Sequence, residues 1–324
     1  MYSTALNPSL VRRIGCCVLL LAAAPALAQN FPTKAIRLIV PFPPGGGNDV
    51  LGRMFALRMS ESLGQSVIVD NRPGGGGNIG TELVAHAPAD GYMLLYTTNS
   101  FAIGPALYTK LGYNLKELAP LSQVAIFPIP LITHPSVPAK TVRELVAVAK
   151  KRGGLNYGST GTGSANHLTG VLFNNVAGID NVHIPYKGAG PMMTAILSGE
   201  VEMATPTVFT AAPYVKSGRL RAIAVTSPQP SATLPGVPTV ASLYPGFDTN
   251  VWHGYFTTAG TPAPVVATLH REIIKALHTP EIRDALANGG AETVGNTPAE
   301  FAAILATDIE KYAKLVKISG AKAD

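Results

Sequence analysis

The chain has 324 residues, 47% of them hydrophobic and 14% charged, and it carries a formal net charge of +6. This composition predicts a folded α/β protein with many short loops and excludes a disordered chain. This net charge is small for the length of the chain, and the Lys and Arg residues form no continuous basic run. We therefore expect no nucleic-acid partner.

The first 28 residues have the pattern of a secretory signal. Arg12 and Arg13 supply the positive start, residues 14–24 form an apolar core shorter than a membrane span, and Ala28 ends a small-residue cleavage site. We expect export and a mature chain that begins at Gln29; the alternative is an uncleaved anchor. Both cysteines fall inside this segment, so the mature chain is expected to lack disulfides, thiol nucleophiles and cysteine-based zinc sites.

The first part of the mature chain alternates apolar runs with helical patterns. Strands are predicted at 35–41, 66–70 and 92–98, and helices at 48–63 and 78–87. Gly64 ends the first helix, and Asn78 is expected to cap the second. Residues 72–77, RPGGGG, are predicted to form a turn that lets strand and helix pack closely. This β-α-β-α-β order is typical of a parallel, doubly wound sheet.

A similar unit begins near Pro128, and we expect the C-terminal part to return to the first lobe. Strands are predicted at 129–133, 155–157, 182–184, 201–204, 220–226 and 252–258, and helices at 142–151, 165–177, 191–197, 208–216, 262–277, 281–287 and 298–316. The sequence therefore predicts an α/β fold of two lobes, each a doubly wound and mostly parallel sheet, with a ligand cleft between them. Residues 29–127 plus 252–324 would form lobe 1, and residues 128–251 lobe 2.

Two glycine-rich loops of the same design lie between a predicted strand and a predicted helix. The first glycine loop, residues 41–49, reads PFPPGGGND, and the second glycine loop, residues 158–167, reads GSTGTGSANH. At the start of a helix, free backbone N–H groups and the helix dipole favour an anion. Neither loop contains Lys or Arg. The pattern therefore predicts that backbone amides of both loops capture a small carboxylate.

Other kinds of site lack their sequence signals. The second glycine loop does not end in Gly-Lys-Ser/Thr and does not have dinucleotide-fingerprint spacing, so we expect no nucleotide. There is no Gly-x-Ser-x-Gly elbow and no pattern of metal ligands, so we expect no catalytic residue, no metal and no cofactor. A secreted hydrolase that uses a hydroxyl of the second glycine loop remains the alternative.

Several polar residues near these loops have ordinary structural explanations. His167 is expected to make one hydrogen bond, to pack, or to lie beside the ligand, while His183 and His253 are expected to be structural. Asp49 is expected to cap free N–H groups, since its charge would repel a carboxylate. Lys187 would either attract the anion or remain a solvated surface residue.

Five long motifs, found in the same order along the chain, resemble one family. They read PTKAIRLIVPFPPGGGND, VIVDNRPGGGGNIGTELVAHAPADGYMLL, YGSTGTGSANHLTG, HIPYKGAGPMMTAILSGEVEMA and RLRAIAVTS. With these motifs the chain resembles the periplasmic solute-binding proteins of the tripartite tricarboxylate transporter type, also called the Bug family. The resemblance covers nearly the whole mature chain.

The resemblance implies a two-lobed periplasmic binding protein that closes over its ligand and has no enzymatic activity. It would capture a mono-, di- or tricarboxylate for uptake or sensing. A tripartite tricarboxylate transporter membrane complex is the implied partner, although many family members lack a dedicated transporter, and we expect a monomer. Pro206 stands where many relatives carry an Asp suited to an amine, which argues against amino-acid ligands.

The resemblance also implies which residues contact the ligand. Both glycine loops would grip one carboxylate through backbone amides and bridging waters, with Phe42 beside the ligand and hydroxyl donors from Ser159, Thr162 and Ser164. More variable residues would meet the far end of the ligand. The expected contacts are Phe42, Pro44, Gly45, Gly46, Gly47, Asn48, Asn99, Ser100, Ser159, Thr160, Gly161, Thr162, Gly163, Ser164, His167, Tyr186, Pro206, Thr207 and Phe209.

Overall fold

The computed structural model describes residues 31–323, so the predicted signal segment lies outside the described residues. Helices and strands alternate along the described chain. In chain order they are β1 (Ile36–Val40), α1 (Gly47–Leu63), β2 (Val67–Asn71), α2 (Asn78–Ala85), β3 (Met93–Thr98), α3 (Ser100–Leu107), β4 (Leu118–Pro128), β5 (Pro130–Thr133), α4 (Val142–Arg152), β6 (Asn156–Ser159), α5 (Ala165–Ala177), β7 (Val182–Pro185), α6 (Ala189–Ser198), β8 (Met203–Ala204), α7 (Val208–Lys216), β9 (Arg221–Val225), β10 (Asn250–Thr258), α8 (Ala263–Leu277), α9 (Pro280–Asn288), β11 (Glu292–Thr293) and α10 (Pro298–Ser319). None of the helices in this range is long and apolar enough to cross a membrane.

The strands form two separate sheets. The first has six strands in the order β11-β4-β10-β3-β1-β2, and the second has five in the order β7-β6-β8-β5-β9. The chain passes from the first sheet to the second between β4 and β5 and returns between β9 and β10. The predicted two-sheet α/β fold is confirmed.

Both sheets are mixed, and the prediction of mostly parallel sheets is wrong. β1 is parallel to β2 and β3, but β10 is antiparallel to both β3 and β4. In the second sheet β6 is parallel to β7 and β8, but β5 is antiparallel to β8 and β9. Parallel neighbours need a crossover, which helices such as α1 supply. β4, β5, β9 and β10 flank the two passages between sheets, where no crossover within one sheet constrains their direction.

Two elements between residues 99 and 127 were not predicted. Five of the eight residues of α3 are buried and Pro105 lies inside it, so it has no polar face from which a helical period could be read. The long strand β4 follows it. The cap predicted at Asn78 is also wrong, because Gly77 is the N-cap of α2 and the Asn78 side chain instead accepts a hydrogen bond of 3.0 Å from the Tyr113 hydroxyl.

The first sheet is covered on both faces, which explains why β1 is apolar almost throughout. On one face, Phe55 of α1 packs with Ile273 of α8. On the other, Phe101 of α3 packs with Phe256 and with Tyr312 of α10. Burial of each such side chain contributes about 1.5–3 kcal/mol to stability.

Helix α5 belongs to the second sheet by chain order but begins inside the core of the first. Ala165 and Leu168, on its first turn, are buried in the same apolar cluster as Trp252 and Leu315. The second glycine loop immediately precedes this turn. The loop is therefore held where the two halves of the molecule meet.

A buried polar network fixes β10 where the chain re-enters the first sheet. The Asn99 side chain accepts a hydrogen bond from the Trp252 backbone N–H (2.8 Å) and donates one to the Tyr312 hydroxyl (2.8 Å). The Trp252 indole N–H donates to the Asp308 carboxylate at 2.7 Å, and Lys311 lies 2.7 Å from the same carboxylate. These bonds join the end of β3, the start of β10 and the C-terminal helix.

Replacement of Asp308 by Ala should destabilise the protein. The change leaves the buried Trp252 indole without its acceptor, and an unsatisfied buried donor costs about 1–3 kcal/mol. Urea unfolding followed by tryptophan fluorescence measures the loss. Glu310→Ala is the matched control, since Glu310 is exposed on the same helix. Equal urea midpoints for the two variants would contradict the role of the network.

Candidate ligand-binding site

The loops at the carboxyl ends of β1, β2 and β3 converge at one edge of the first sheet. A side-chain carbon at Gly80 would lie 2.8 Å from Pro41 and 3.0 Å from the Arg72 carbonyl oxygen, so only glycine lets α2 lie this close. A carbon at Gly77 would lie 3.4 Å from the Ser100 hydroxyl. The close packing predicted for the RPGGGG turn is confirmed. Ligands of α/β sheets commonly bind outside such carboxyl ends.

In the first glycine loop, Asp49 fixes the start of α1. Its carboxylate accepts hydrogen bonds from the Gly45 backbone N–H (2.8 Å) and the Asn71 amide (2.9 Å), and it pairs with Arg53 at 2.9 Å. Burial acts to raise the pKa of Asp49, but the bonds from Arg53, Gly45 and Asn71 outweigh it and lower the pKa below its usual value. Asp49 therefore satisfies a loop N–H that precedes the N-cap Gly46 and caps no N–H group of α1 itself, contrary to the expected capping role.

Asp49 also determines which N–H groups of the first glycine loop are left over. The Gly45 N–H is occupied by the carboxylate and is not available to a ligand through this bond. Gly46 is the N-cap of α1 and has no side chain with which to cap the helix. Among residues 31–323, the N–H groups of Gly47 and Asn48 make no hydrogen bond. These N–H groups are the donors of the first loop that are available to an anion.

In the second glycine loop, the hydroxyls of both serines form hydrogen bonds with the backbone of the loop itself. Ser159, which is completely buried, receives the Gly161 N–H at 3.1 Å and lies 3.1 Å from the Gly161 carbonyl oxygen. Ser164 caps α5 by accepting the His167 N–H (3.1 Å) and donates its own proton to the Gly161 carbonyl at 2.7 Å. The expectation that Ser159 and Ser164 donate to the ligand conflicts with this arrangement, because each hydroxyl has a single proton.

His167 forms a hydrogen bond with the backbone of the same loop. Its Nδ1 accepts the Gly163 N–H at 3.1 Å, and its ring stacks on His183 with centroids 3.8 Å apart. Gly163 has φ +74° and its missing side chain leaves room for Leu107 of α3, so the second glycine loop contacts this helix directly. Burial, followed by the nearby His183, lowers the pKa of His167 to about 3, and burial lowers that of His183 to about 4.

The remaining N–H groups of the second loop resemble those of the first. Within the described part of the chain, the N–H groups of Thr160, Thr162, Ala165 and Asn166 have no acceptor. Thr162 is exposed, and its hydroxyl also has no partner among the described residues. The Thr160 hydroxyl, in contrast, donates to the Asn166 side chain at 2.9 Å.

Most residues expected at the far end of the ligand are committed elsewhere. The Asn99 side chain belongs to the polar network described above, and the Tyr186 hydroxyl donates to Glu200 at 2.8 Å. Pro206 is buried, and the hydroxyl of Thr207 lies 3.1 Å from that of Thr210.

Three of the expected contacts keep exposed surface. Phe209 is 55% exposed, and a side-chain carbon on Gly289 of the first lobe would lie 3.4 Å from its ring. Phe42 and Ser100 are half-buried at the carboxyl ends of β1 and β3. These three placements are compatible with ligand contact.

Charged side chains near the loops are mostly paired. Asp70 forms ion pairs with Arg37 and Arg72, and Arg53 is bound by Asp49. Lys187 is exposed and makes no ion pair with any residue in the range 31–323. Its neighbours are fixed to the second loop, since Tyr186 N–H donates to the Ser159 carbonyl and Gly188 N–H to the Thr160 carbonyl.

The structure reveals a serine–histidine contact that the sequence did not suggest. Ser159 Oγ lies 2.7 Å from His183 Nε2, although the two residues are 24 positions apart. Ser159 is fully buried, and no carboxylate of the described chain orients His183, so the pair lacks the access and the third member that a hydrolase requires. No three His, Cys, Asp or Glu residues among those described come together as metal ligands.

Two surface cavities are lined by no residue of either glycine loop. One, of about 460 Å³, is lined by residues at the starts of α8 and α10, including His270 and Thr297. The other, of about 330 Å³, lies between the ends of α3 and α10. Neither contains an N–H group of the glycine loops, so the candidate site is defined by hydrogen-bonding groups and not by an enclosed volume.

Comparison with known proteins gives a consistent result. The model of the family described as "Tripartite tricarboxylate transporter family receptor" matches residues 51–320. Protein BugT of Bordetella pertussis is 37% identical over 305 residues, which cover 93% of this chain and 94% of BugT. A protein of R. palustris solved with adipate has a TM-score of 0.80 at 32% identity and covers 90% of this chain and 100% of its own. MatC from Rhodopseudomonas palustris, solved with bound malate, has a TM-score of 0.77 at 28% identity and covers 88% and 100%.

The buried, neutral His167 should make stability depend on pH. Its folded pKa of about 3 lies below the usual 6.5, so the unfolded chain binds the proton first as pH falls. The contribution of the neutral His167 to the free energy of unfolding is complete above about pH 6.5 and is lost as the pH falls toward 3. His167→Asn keeps an acceptor for Gly163 but does not titrate. Between about pH 5.5 and 4.5 it should reduce the slope of unfolding free energy by about 1.4 kcal/mol per pH unit.

Urea unfolding at several pH values measures this slope. His278→Asn is the control, because His278 is exposed at the end of α8. A His167→Asn protein with the wild-type slope would show that His167 titrates equally in the folded and unfolded states.

Proposed function

Because the chain belongs to the tripartite tricarboxylate transporter receptor family, which consists of solute-binding proteins and not of enzymes, we propose that it captures a small carboxylate through backbone N–H groups of its two glycine loops. The observation that carries the proposal is the pair of helix starts, α1 and α5, whose first N–H groups have no acceptor in residues 31–323. Helix N-termini favour negative charge through these groups and through the helix dipole.

The comparison structures support a carboxylate as the charged group. Adipate and malate, bound by the two similar R. palustris proteins, differ in length and polarity but each carries two carboxylates. We propose that the loops hold one carboxylate of the ligand and that Phe42, Ser100, Thr162 and Phe209 contact the rest of it. Pro206 offers no charge for an amine, which is why we propose an acid without an amino group.

We further infer that the protein acts in the periplasm after removal of residues 1–28. The family is one of periplasmic receptors, and the signal pattern in the sequence supports this location. A membrane complex of the tripartite type would receive the ligand; delivery to a sensor is the alternative. The monomer is the proposed functional state.

We propose that residues 29–127 with 252–324, and residues 128–251, are lobes that close on the ligand. Each lobe contributes one glycine loop, so a single carboxylate meets both sets of N–H groups only when the loops approach each other. Anchoring of the first turn of α5 in the core of the first lobe supports a hinge close to the second loop.

Calorimetric titration with adipate and malate tests the function. Gly47→Pro removes one N–H at the first position of α1, where proline is tolerated, whereas Gly47→Ala keeps it in a place where a side-chain carbon meets no atom within 4 Å. We expect the proline variant to bind about 10–100-fold more weakly, because a hydrogen bond to a charged group contributes about 1.5–3 kcal/mol. The alanine variant should bind like the wild type.

Two further controls make this result specific. Adipamide, the neutral diamide of adipate, should not bind, and Lys187→Ala should change affinity only slightly because an exposed pair contributes about 0–1 kcal/mol. If Lys187→Ala abolishes binding while Gly47→Pro retains it, a side-chain charge holds the anion and the proposal is wrong. If none of a wider panel of mono-, di- and tricarboxylates binds, a carboxylate is not the ligand.

Closure predicts a smaller radius of gyration in the presence of the acid that calorimetry identifies. Small-angle scattering on the free and saturated protein measures it, with adipamide as the uncharged control. An unchanged radius at confirmed saturation would count against lobe closure and leave the carboxylate proposal standing.

A further inference from the structure

Two stacked imidazole rings form hydrogen bonds with residues of the second glycine loop. His167 lies on the first turn of α5 and His183 on β7, and their ring planes are inclined by 22° with centroids 3.8 Å apart. His183 also packs on the ring of Tyr157, with centroids 5.1 Å apart. Two rings this close are stacked favourably only when they are not both charged, since like charges in a site of low polarity repel strongly.

The hydrogen bonds define where the ring protons are. Nδ1 of His167 faces the Gly163 N–H at 3.1 Å, so it must be the unprotonated acceptor, and the neutral ring then carries its proton on Nε2. This assignment follows from the donor alone, because a backbone N–H cannot accept.

The tautomer of His183 follows from Ser159. The Ser159 oxygen receives the Gly161 N–H and lies 3.1 Å from the Gly161 carbonyl oxygen, which can only accept. If the Ser159 hydroxyl donates its proton to that carbonyl oxygen, His183 must donate from Nε2 to Ser159 Oγ across the 2.7 Å contact. Each of the three contacts of Ser159 Oγ then contains one proton. The reverse assignment would leave two lone pairs facing each other between Ser159 and Gly161.

The two histidines thereby occupy alternate N–H groups of the loop. Through Ser159, His183 fixes the N–H of Gly161, and His167 fixes the N–H of Gly163. The N–H of Thr162, between them, has no acceptor in residues 31–323, and Thr162 is exposed. Without these two bonds, the N–H groups of Gly161 and Gly163 would be as free to bind a ligand as the N–H of Thr162.

We propose that His167 and His183 are positioning residues which, as neutral rings both protonated on Nε2, hold the second glycine loop so that the Thr162 N–H is among the amides offered to the ligand. The assignment of the rings stands without any ligand, and only the last clause rests on the proposed function. Burial lowers the pKa of both groups, which agrees with neutral rings at the pH of the experiment.

Nitrogen-15 NMR of the histidine side chains in the wild-type protein tests the assignment directly. At about pH 7 we expect the Nε2-protonated pattern for both rings, and the same pattern at about pH 5.5. The Nδ1-protonated form at either residue, or a charged ring at about pH 5.5, would overturn the proposal. This measurement needs neither a variant nor a ligand.

Matched variants test the consequence for the loop. His167→Asn keeps an acceptor near the position of Nδ1, and His183→Gln keeps a donor near that of Nε2, whereas the leucine variants of both remove the hydrogen-bonding atom. We expect the leucine variants to bind adipate or malate at least tenfold more weakly and to lose hydrogen-exchange protection at Gly161 (His183→Leu) or Gly163 (His167→Leu). The Asn and Gln variants should stay within about threefold of the wild type.

His278→Asn, on the exposed end of α8, is the control for the loss of a histidine. Leucine variants that keep wild-type affinity and exchange protection would show that the rings act by packing alone, and the proposal would be wrong. If the wild type binds neither acid, the ligand part of the proposed function fails, while the tautomers and the exchange of Gly161 and Gly163 still decide the role of the histidines.

Discussion

The backbone N–H groups at the starts of α1 and α5 have no acceptor in residues 31–323, and the arrangement around them depends on this constraint. An N–H without a partner is costly unless water or a ligand satisfies it. Both loops contain a device that satisfies the neighbouring N–H groups and leaves a chosen few. In the first loop the device is the charged Asp49, which is balanced by Arg53. In the second it is a pair of neutral histidines with two serines.

The difference between the two devices has an electrostatic consequence. Asp49 remains ionised, but Arg53 neutralises it at 2.9 Å, so the first loop presents little net charge to an incoming anion. The histidines present none, because burial keeps them neutral. The proposed attraction for an anion would then come from the dipoles of two helices and from N–H groups that are already oriented, which cost little reorganisation on binding.

The sequence predicted the parts of the fold that depend on local pattern. The predicted bounds of α5 and α7 agree with the structure, and α5 has both a capping serine at its start and a glycine at its end. It failed where tertiary context decides, as for α3, whose residues are mostly buried, and for the mixed sheets, whose strand directions are set where the chain passes between the two sheets. For the candidate site, it found both glycine loops but counted Ser159 and Ser164 as donors to the ligand. Their partners include a histidine 24 residues away, which no local pattern reveals.

Recognition through the N–H of a residue such as Gly47 has a consequence for how this protein can evolve. A side chain that binds a ligand is lost by almost any substitution, but a backbone N–H is lost only by substitution to proline. The group proposed to bind the carboxylate is therefore removed by few point mutations, provided that the local backbone is retained. Substitution of an exposed side chain such as Phe209, in contrast, replaces the contacting group itself. If the proposed site is right, side-chain substitutions would alter the fit to the rest of the ligand while the backbone contacts to its anionic group are kept.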